Sequence, residues 1–296
     1  MSTNQDIAAL MDRLARAGYI ADRPLATTLL LMENLKRPLL LEGDAGVGKT
    51  ALAQAYAAAH DTSVIRLQCY EGLDVGQAVY EWNYAHQLLA MKLQERSDRP
   101  LAQTEAEIFS DRFLLPRPLL KAITQDKPPV LLIDEIDRAD EQFEAYLLEL
   151  LSDWQVSIPE LGTIHARSIP HVMLTSNATR ELSDALRRRC LYYFLDYPGV
   201  EKELRIVENR LPGIDAQLAR QVVKFVHGVR ALDLRKRPGV AETLDWAAAL
   251  MALEIPSLPE NTERIIDTLG CLMKTQEDRQ RLDGATLRGL VFKAAG

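Results

Sequence analysis

Residues 38–59 read PLLLEGDAGVGKTALAQAYAAA, and the changes of character within that stretch decide the fold. Pro38-Leu39-Leu40-Leu41 is a short apolar run of the kind that forms a buried strand. Gly43-Asp44-Ala45-Gly46-Val47-Gly48-Lys49-Thr50 fits G-x-x-x-x-G-K-[ST], a loop whose glycines let the backbone wrap closely and point N–H groups at phosphate oxygens. Ala51 to Ala59 is alanine-rich and reads as a helix, whose positive N-terminal end adds to the attraction for an anion. Lys49 stands where it meets β- and γ-phosphates, and Thr50 carries a hydroxyl for Mg²⁺. A chance occurrence of this pattern in a chain of this length has odds of roughly 1%, and here the pattern also falls between a strand and a helix. Gly43 through Thr50 are therefore the candidate nucleotide ligands.

Similar apolar runs follow at Val64–Leu67, Val130–Ile133, Val172–Leu174 and Leu191–Leu195. Five such runs separated by helical segments predict an α/β fold with a mostly parallel five-stranded sheet between helices. Upstream, Ile7, Leu10, Met11 and Leu14 recur at helical spacing up to Gly18, and Pro24 to Leu35 reads as a second helix. After Tyr197-Pro198-Gly199 no further strand-like run occurs. Glu201–Leu211, Gln217–Val229, Val240–Leu253 and Thr262–Met273 carry helical spacing, punctuated by Pro212-Gly213, Arg237-Pro238-Gly239 and Pro256–Pro259. The expected organisation is an α/β domain over 1–198 followed by a small all-helical domain over 199–296.

Val130-Leu131-Leu132-Ile133 ends in Asp134-Glu135, so a buried strand delivers two carboxylates at its C-terminal edge, where ligands bind in open α/β sheets. Asp134 would hold Mg²⁺ and Glu135 would orient and deprotonate the attacking water. A lone Asp-Glu pair is also what a helix start looks like; the phosphate loop upstream gives it its meaning. His171–Asn177 is a further apolar run ending in polar residues. Asn177 would sit beside the γ-phosphate and position water, the rival reading being a plain turn. Leu186-Arg187-Arg188-Arg189 is either a solvated basic face or the source of an arginine finger. Leu234-Arg235-Lys236-Arg237 precedes a helix start, where cations oppose the helix dipole; that placement suits a phosphate partner.

The charge balance is acidic, with a net charge of −7 and a pI of 5.4. This counts against a general nucleic-acid surface. Cys69, Cys190 and Cys271 are far apart, which disfavours a disulfide scaffold or a cysteine zinc site. No stretch approaches the ~20 apolar residues needed to span a bilayer, and no signal-peptide pattern occurs. The expected location is cytoplasmic, with peripheral membrane association left open. The five histidines show no ligand spacing.

Taken in order, GDAGVGKT, VLLIDE, HVMLTSN, ALRRRC and LRKRPGVAETL resemble an AAA+ ATPase with its helical lid. LLLEGDAGVGKT, FLLPRPLLKAI and LLIDEIDRADEQFEAYLLELLSD are similar to the MoxR group of that family. RLQCYEG and YEWNY look like its CoxD-like branch, which includes a maturation ATPase for a molybdenum–copper carbon monoxide dehydrogenase. The resemblance covers about residues 18–253. It implies that Asn177 is sensor 1, that Arg189 or its neighbour Arg188 is the finger, and that Arg237 is sensor 2 with Arg235 as the fallback. Gln68 would restrain Glu135 until substrate arrives. It also implies a helix-2 insert over about 75–112 and a hairpin over about 155–168 just before sensor 1. That hairpin would face a ring pore, with Ile158 and Leu161 exposed at its tip. Trp82, Tyr84 and Leu88 in the insert read as core.

The combined expectation is a Mg²⁺-dependent ATPase binding ATP, working as a homo-hexameric ring on a protein client such as a molybdoenzyme, with a von Willebrand factor A domain partner. Nucleic acid and an integral membrane segment are not expected. A nucleic-acid motor or clamp-loader-like ATPase, a nucleotide-gated adaptor with little turnover, and a phosphate-loop kinase are the rival readings.

Overall fold

The computed structural model describes residues 2–94, 107–110, 112–259 and 262–295. Part of the expected insert, 95–106 and 111, lies outside the described residues. The chain divides into two compact units. One comprises Met1–Asp22, Gly43–Ala55 and Phe194–Gly296; the other comprises Arg23–Glu42 and Tyr56–Tyr193.

Nine strands occur among the described residues, in chain order β1 (Leu39–Glu42), β2 (Val64–Gln68), β3 (Tyr80–Trp82), β4 (Leu114–Pro116), β5 (Val130–Asp134), β6 (Gln155–Ile158), β7 (Gly162–His165), β8 (His171–Ser176) and β9 (Leu191–Phe194). Five form one parallel sheet in the order β2-β5-β8-β1-β9. This is the sheet the apolar runs predict. β5 is buried at all five positions and β8 at five of six, which is why both read as continuous apolar runs rather than alternating ones. β2 and β9 are the edges. In β2 the alternation returns: Ile65 and Leu67 are buried while Arg66 is exposed.

The sheet's core is lined by Leu40, Leu67, Leu131, Ile133, Val172 and Leu174, with Phe143 and Leu147 from the helix Glu141–Asp153 packed against it. That helix starts where Asp140 accepts a hydrogen bond from the Phe143 N–H at 2.8 Å and stops at Trp154, whose φ of 50° is left-handed. The insert region contributes β3 and β4, an antiparallel pair, and the helix Tyr84–Gln94. Trp82 is core, but Tyr84 and Leu88 are exposed, so only the first of the three fits the core reading.

β6 and β7 form the expected antiparallel hairpin. Its apolar residues do not point outward. Ile158 is 1% exposed and belongs to the sheet's core, and Leu161 packs against the same core. The expectation of an exposed apolar tip is therefore corrected. The cause is the period-2 pattern itself: Val156 and Ile158 share a face, and that face is the inner one.

The other unit has its own core, built from Leu204, Val222, Phe225, Val226, Trp246 and Leu250 on the helices Val200–Arg210, Ala216–Arg230 and Val240–Ala252. The segment expected as one helix from Thr262 is a helix over Thr262–Thr268 followed by a 3-10 turn over Leu269–Cys271. Two further helices, Gln276–Arg281 and Gly284–Ala295, complete it. No helix among the described residues is long and apolar enough to cross a membrane.

Candidate functional site

The first unit holds the phosphate loop. The chain leaves β1 at Glu42 and enters the loop at Gly43; the helix Lys49–Ala59 follows. Lys49 is 8% exposed, and its ammonium donates to the Gly43 carbonyl at 2.5 Å and to the Asp44 carbonyl at 2.8 Å. The loop is thus wrapped around its own cation at the start of a helix. A Cβ on Gly43 would stand 2.2 Å from the Leu195 carbonyl oxygen, so the first glycine of the motif is fixed by a backbone packed against it.

The turn carrying Arg237 packs on the same loop. The Val240 N–H donates to the Gly46 carbonyl at 2.9 Å, and a Cβ added to Gly239 would stand 2.7 Å from both the Cα and the carbonyl oxygen of Gly46. The turn is held from both sides. Asp278 accepts from the N–H groups of Arg235 and Lys236 at 2.8 and 3.1 Å. Buried Arg230 donates to the Pro238 carbonyl at 2.7 Å and pairs in bidentate fashion with Glu203, at 2.5 and 2.7 Å. Thr243 donates to Glu203 at 2.7 Å, and His227 lies 2.8 Å from it. Burial alone would raise the Glu203 carboxyl; the hydrogen bonds from His227, Arg230 and Thr243 outweigh it and hold it below its ordinary value. Tyr197 lies over the Arg230 guanidinium, 4.9 Å away, and its hydroxyl is bonded to Asp44 of the loop. Burial first, then the Asp44 charge, push the Tyr197 phenol up to about 12. Arg230, Glu203 and Tyr197 are supports that sequence reading missed, since a buried ion pair on two helices leaves no local motif.

The second unit holds the acidic strand end. Gln68 and Asp134 are register partners on β2 and β5, Glu135 follows β5, and Asn177 follows β8. Asp134 is 4% exposed. Its Oδ1 accepts from the Thr175 hydroxyl at 2.5 Å, and its Oδ2 accepts from Arg66 Nε at 3.0 Å and Nη2 at 2.5 Å. Thr175 also accepts from the Glu135 N–H at 2.9 Å. Glu135 has a left-handed φ of 55°, uncommon for a side chain with a Cβ. Its carboxylate lies 3.4 Å from Arg138 Nε. Gln68 accepts from Arg66.

Asp137 joins the acidic strand to the segment bearing Asn177. Its Oδ2 accepts from the N–H groups of Asn177 and Thr179 at 3.2 and 2.9 Å and from the Thr179 hydroxyl at 2.6 Å. Burial alone would raise the Asp137 carboxyl; these bonds outweigh it and lower it. Burial, then the charges of Asp134, Asp137 and Glu135, push the neighbouring Cys69 thiol up to about 12.

Arg188 and Arg189 end the short helix Asp184–Arg189, which leads into edge strand β9. Arg37 fixes that helix end: it donates to the carbonyls of Arg188, Arg189 and Cys190 at 2.6, 3.0 and 3.3 Å. Arg189 Nε donates to the Ser152 hydroxyl at 2.8 Å.

The structure thus brings Gly43–Thr50 and Arg237 together in one unit, and Asp134, Glu135 and Asn177 in the other. The Thr50 hydroxyl in the first unit and the Asp134 carboxylate in the second are each hard oxygen donors of the kind Mg²⁺ takes. No group of three or more His, Cys, Asp or Glu that could hold a metal occurs among the described residues.

A family model for the AAA domain, dynein-related subfamily, matches residues 38–190, more than half of the 296-residue chain. The chain belongs to this family. The gas vesicle ATPase GvpN of Haloferax mediterranei is 25% identical over 255 residues, spanning 80% of this AAA protein and 67% of GvpN. The denitrification regulatory protein NirQ of Stutzerimonas stutzeri is 24% identical over 213 residues, covering 70% and 68%. Among solved structures, the Thermotoga maritima RuvB Holliday junction branch migration motor aligns with a TM-score of 0.44 at 19% identity, covering 87% of this chain and 69% of that one.

Proposed function

We propose that this AAA protein is a Mg²⁺-dependent ATP hydrolase of the MoxR type, working as a homo-oligomeric ring, a hexamer, that remodels or matures a protein client. The observation that carries the reading is the phosphate loop, whose carbonyls already hold the buried Lys49 ammonium at the start of a helix. In this reading Gly43 through Thr50 cradle the phosphates, and Thr50 and Asp134 hold Mg²⁺, which neutralises charge on the phosphate oxygens. Glu135 takes the proton of the attacking water. Asn177, tethered through Asp137, aligns that water. Arg237 reports the γ-phosphate to a lid over 199–296, and the 155–168 hairpin and the insert are the client-side elements. A relative that is itself named an ATPase supports hydrolysis, and one named a denitrification regulatory protein supports a regulatory role. A molybdoenzyme client, the CoxD-like branch, a von Willebrand factor A domain partner and a cytoplasmic location are the finer parts of the proposal.

Arg189 is assigned as a finger acting in trans, with Arg188 next. Its helix leads into an edge strand, and Arg37 holds the helix end in place. Arginine suits the task because its planar fork stays charged and engages two oxygens. The test mixes two inactive proteins. Lys49→Ala keeps its finger, and Arg189→Ala keeps its loop and base. Mixed rings contain interfaces pairing a good loop with a good finger, so activity returns, because a finger in trans is worth about 10³–10⁵ in rate. Mixed rings that assemble and stay inactive contradict the assignment.

A further inference from the structure

Each carboxylate of the Asp134-Glu135 pair has its own arginine. Glu135 faces Arg138, its neighbour in the next turn. Asp134 faces Arg66, which comes from the adjacent strand β2 and whose Nε and Nη2 both donate to Oδ2. The alternation of β2 turns Arg66 and Gln68 to one side of the strand while Ile65 and Leu67 go to the core. Gln68 stands in register with Asp134, so an arginine two residues earlier reaches the strand end with its long stem laid along the strand. Its Nη2 also donates to Gln68, which fixes the guanidinium plane.

The two partners differ in burial. The Asp134 side chain is 6% exposed and Arg66 is 53% exposed. The cation therefore approaches a sunken carboxylate from the solvent side and keeps about half of its own surface in water. Leaving costs the well-hydrated arginine little, but it strands the sunken carboxylate unless another cation takes its place. The buried pair Arg230–Glu203, 7% and 0% exposed, is the opposite case, and neither of its members can leave without stranding a charge.

We propose that Arg66 is a resident counter-ion of Asp134 that competes with the divalent cation for Oδ2, so that loading Mg²⁺ requires the guanidinium to swing away from the strand end. The inference rests on the assignment of Asp134 as a metal ligand. A divalent cation must displace at least one of the two N–H donors already on Oδ2, and a positive charge a few ångströms from a divalent ion opposes its binding. Until the ion arrives, Arg66 keeps the sunken Asp134 carboxylate from standing as uncompensated negative charge. The released guanidinium would carry Gln68 with it, coupling metal loading to edge strand β2.

The experiment measures Mn²⁺ affinity by electron paramagnetic resonance with ADP present, for wild type, Arg66→Gln, Arg66→Lys and Asp134→Asn, beside thermal unfolding without metal. Arg66→Gln keeps a donor for Asp134 and removes the charge; it binds Mn²⁺ on the order of tenfold more tightly than wild type. It also unfolds earlier without metal, and Mn²⁺-ADP raises its midpoint by more than it raises that of wild type. Arg66→Lys keeps the charge and stays near wild type, and it carries the test if Arg66→Gln does not fold: a Lys variant with tenfold tighter Mn²⁺ overturns the charge argument. Equal or weaker Mn²⁺ binding by Arg66→Gln overturns the proposal and makes Arg66 an aid to the site. Unchanged Mn²⁺ binding by Asp134→Asn overturns instead the metal-ligand assignment beneath it.

Discussion

Gly239→Ala probes how the turn carrying Arg237 shapes the phosphate loop. The new Cβ would lie 2.7 Å from the Gly46 Cα and carbonyl oxygen and 2.8 Å from its carbonyl carbon. Carbon atoms in contact sit about 3.5–4.0 Å apart, so the overlap is about 1 Å and involves backbone, which cannot rotate out of the way. The loop and the turn must separate by that amount, and the Val240–Gly46 hydrogen bond lengthens with them. Overpacking of this kind costs about 1–3 kcal/mol in stability, and a 1 Å displacement of positioned groups costs up to about 10²-fold. Titration with a fluorescent ATP analogue, followed by anisotropy, should show affinity falling about tenfold to a hundredfold, while scanning calorimetry shows a folded protein melting a few degrees lower. Gly270→Ala is the control: its Cβ meets nothing within 4 Å in the same unit, and it should bind as wild type. Undiminished affinity in Gly239→Ala, or an equal loss in Gly270→Ala, refutes the idea that this contact sets the loop.

Ile158→Ala should lower the stability of the chain by about 2–5 kcal/mol in urea unfolding, because the residue is core; a change under about 0.5 kcal/mol would restore the exposed-tip reading of the hairpin. Glu203 has a carboxyl held below its ordinary value, so its stabilisation is present above the unfolded value of about 4.3 and disappears as pH falls through the folded value. Glu203→Gln should therefore be less stable at pH 7 and lose less stability than wild type on further acidification, with parallel acid limbs counting against the network.

The five strands were legible because each is a short apolar run bounded by polar residues, and burial on both faces keeps β5 and β8 apolar throughout. The phosphate loop was legible because its chemistry is written in consecutive residues. What could not be read was whatever depends on pairing across the fold. The β3–β4 pair spans three residues on each strand, too few for a period to show. The alternation of Gln155–Ser168 announces a hairpin but not which face is inward, and Ile158 took the inner one. The break at Thr268 follows from tertiary contact, since its hydroxyl accepts from Trp246 and donates to Ile265. Gln68 was the natural polar candidate at the end of β2; Arg66 looks like an ordinary exposed strand residue until β5 brings Asp134 beside it. Thr175, Asp137 and Arg37 likewise act through partners distant in sequence.

The most direct test of the account is steady-state phosphate release from MgATP by wild type and by Glu135→Gln, each at ATP saturating for both proteins. If the carboxylate after β5 is the base, wild type turns over, and removing the base lowers the rate by about 10²–10⁴-fold. Near-wild-type release by Glu135→Gln contradicts the account, as does an assembled wild-type ring that releases no phosphate.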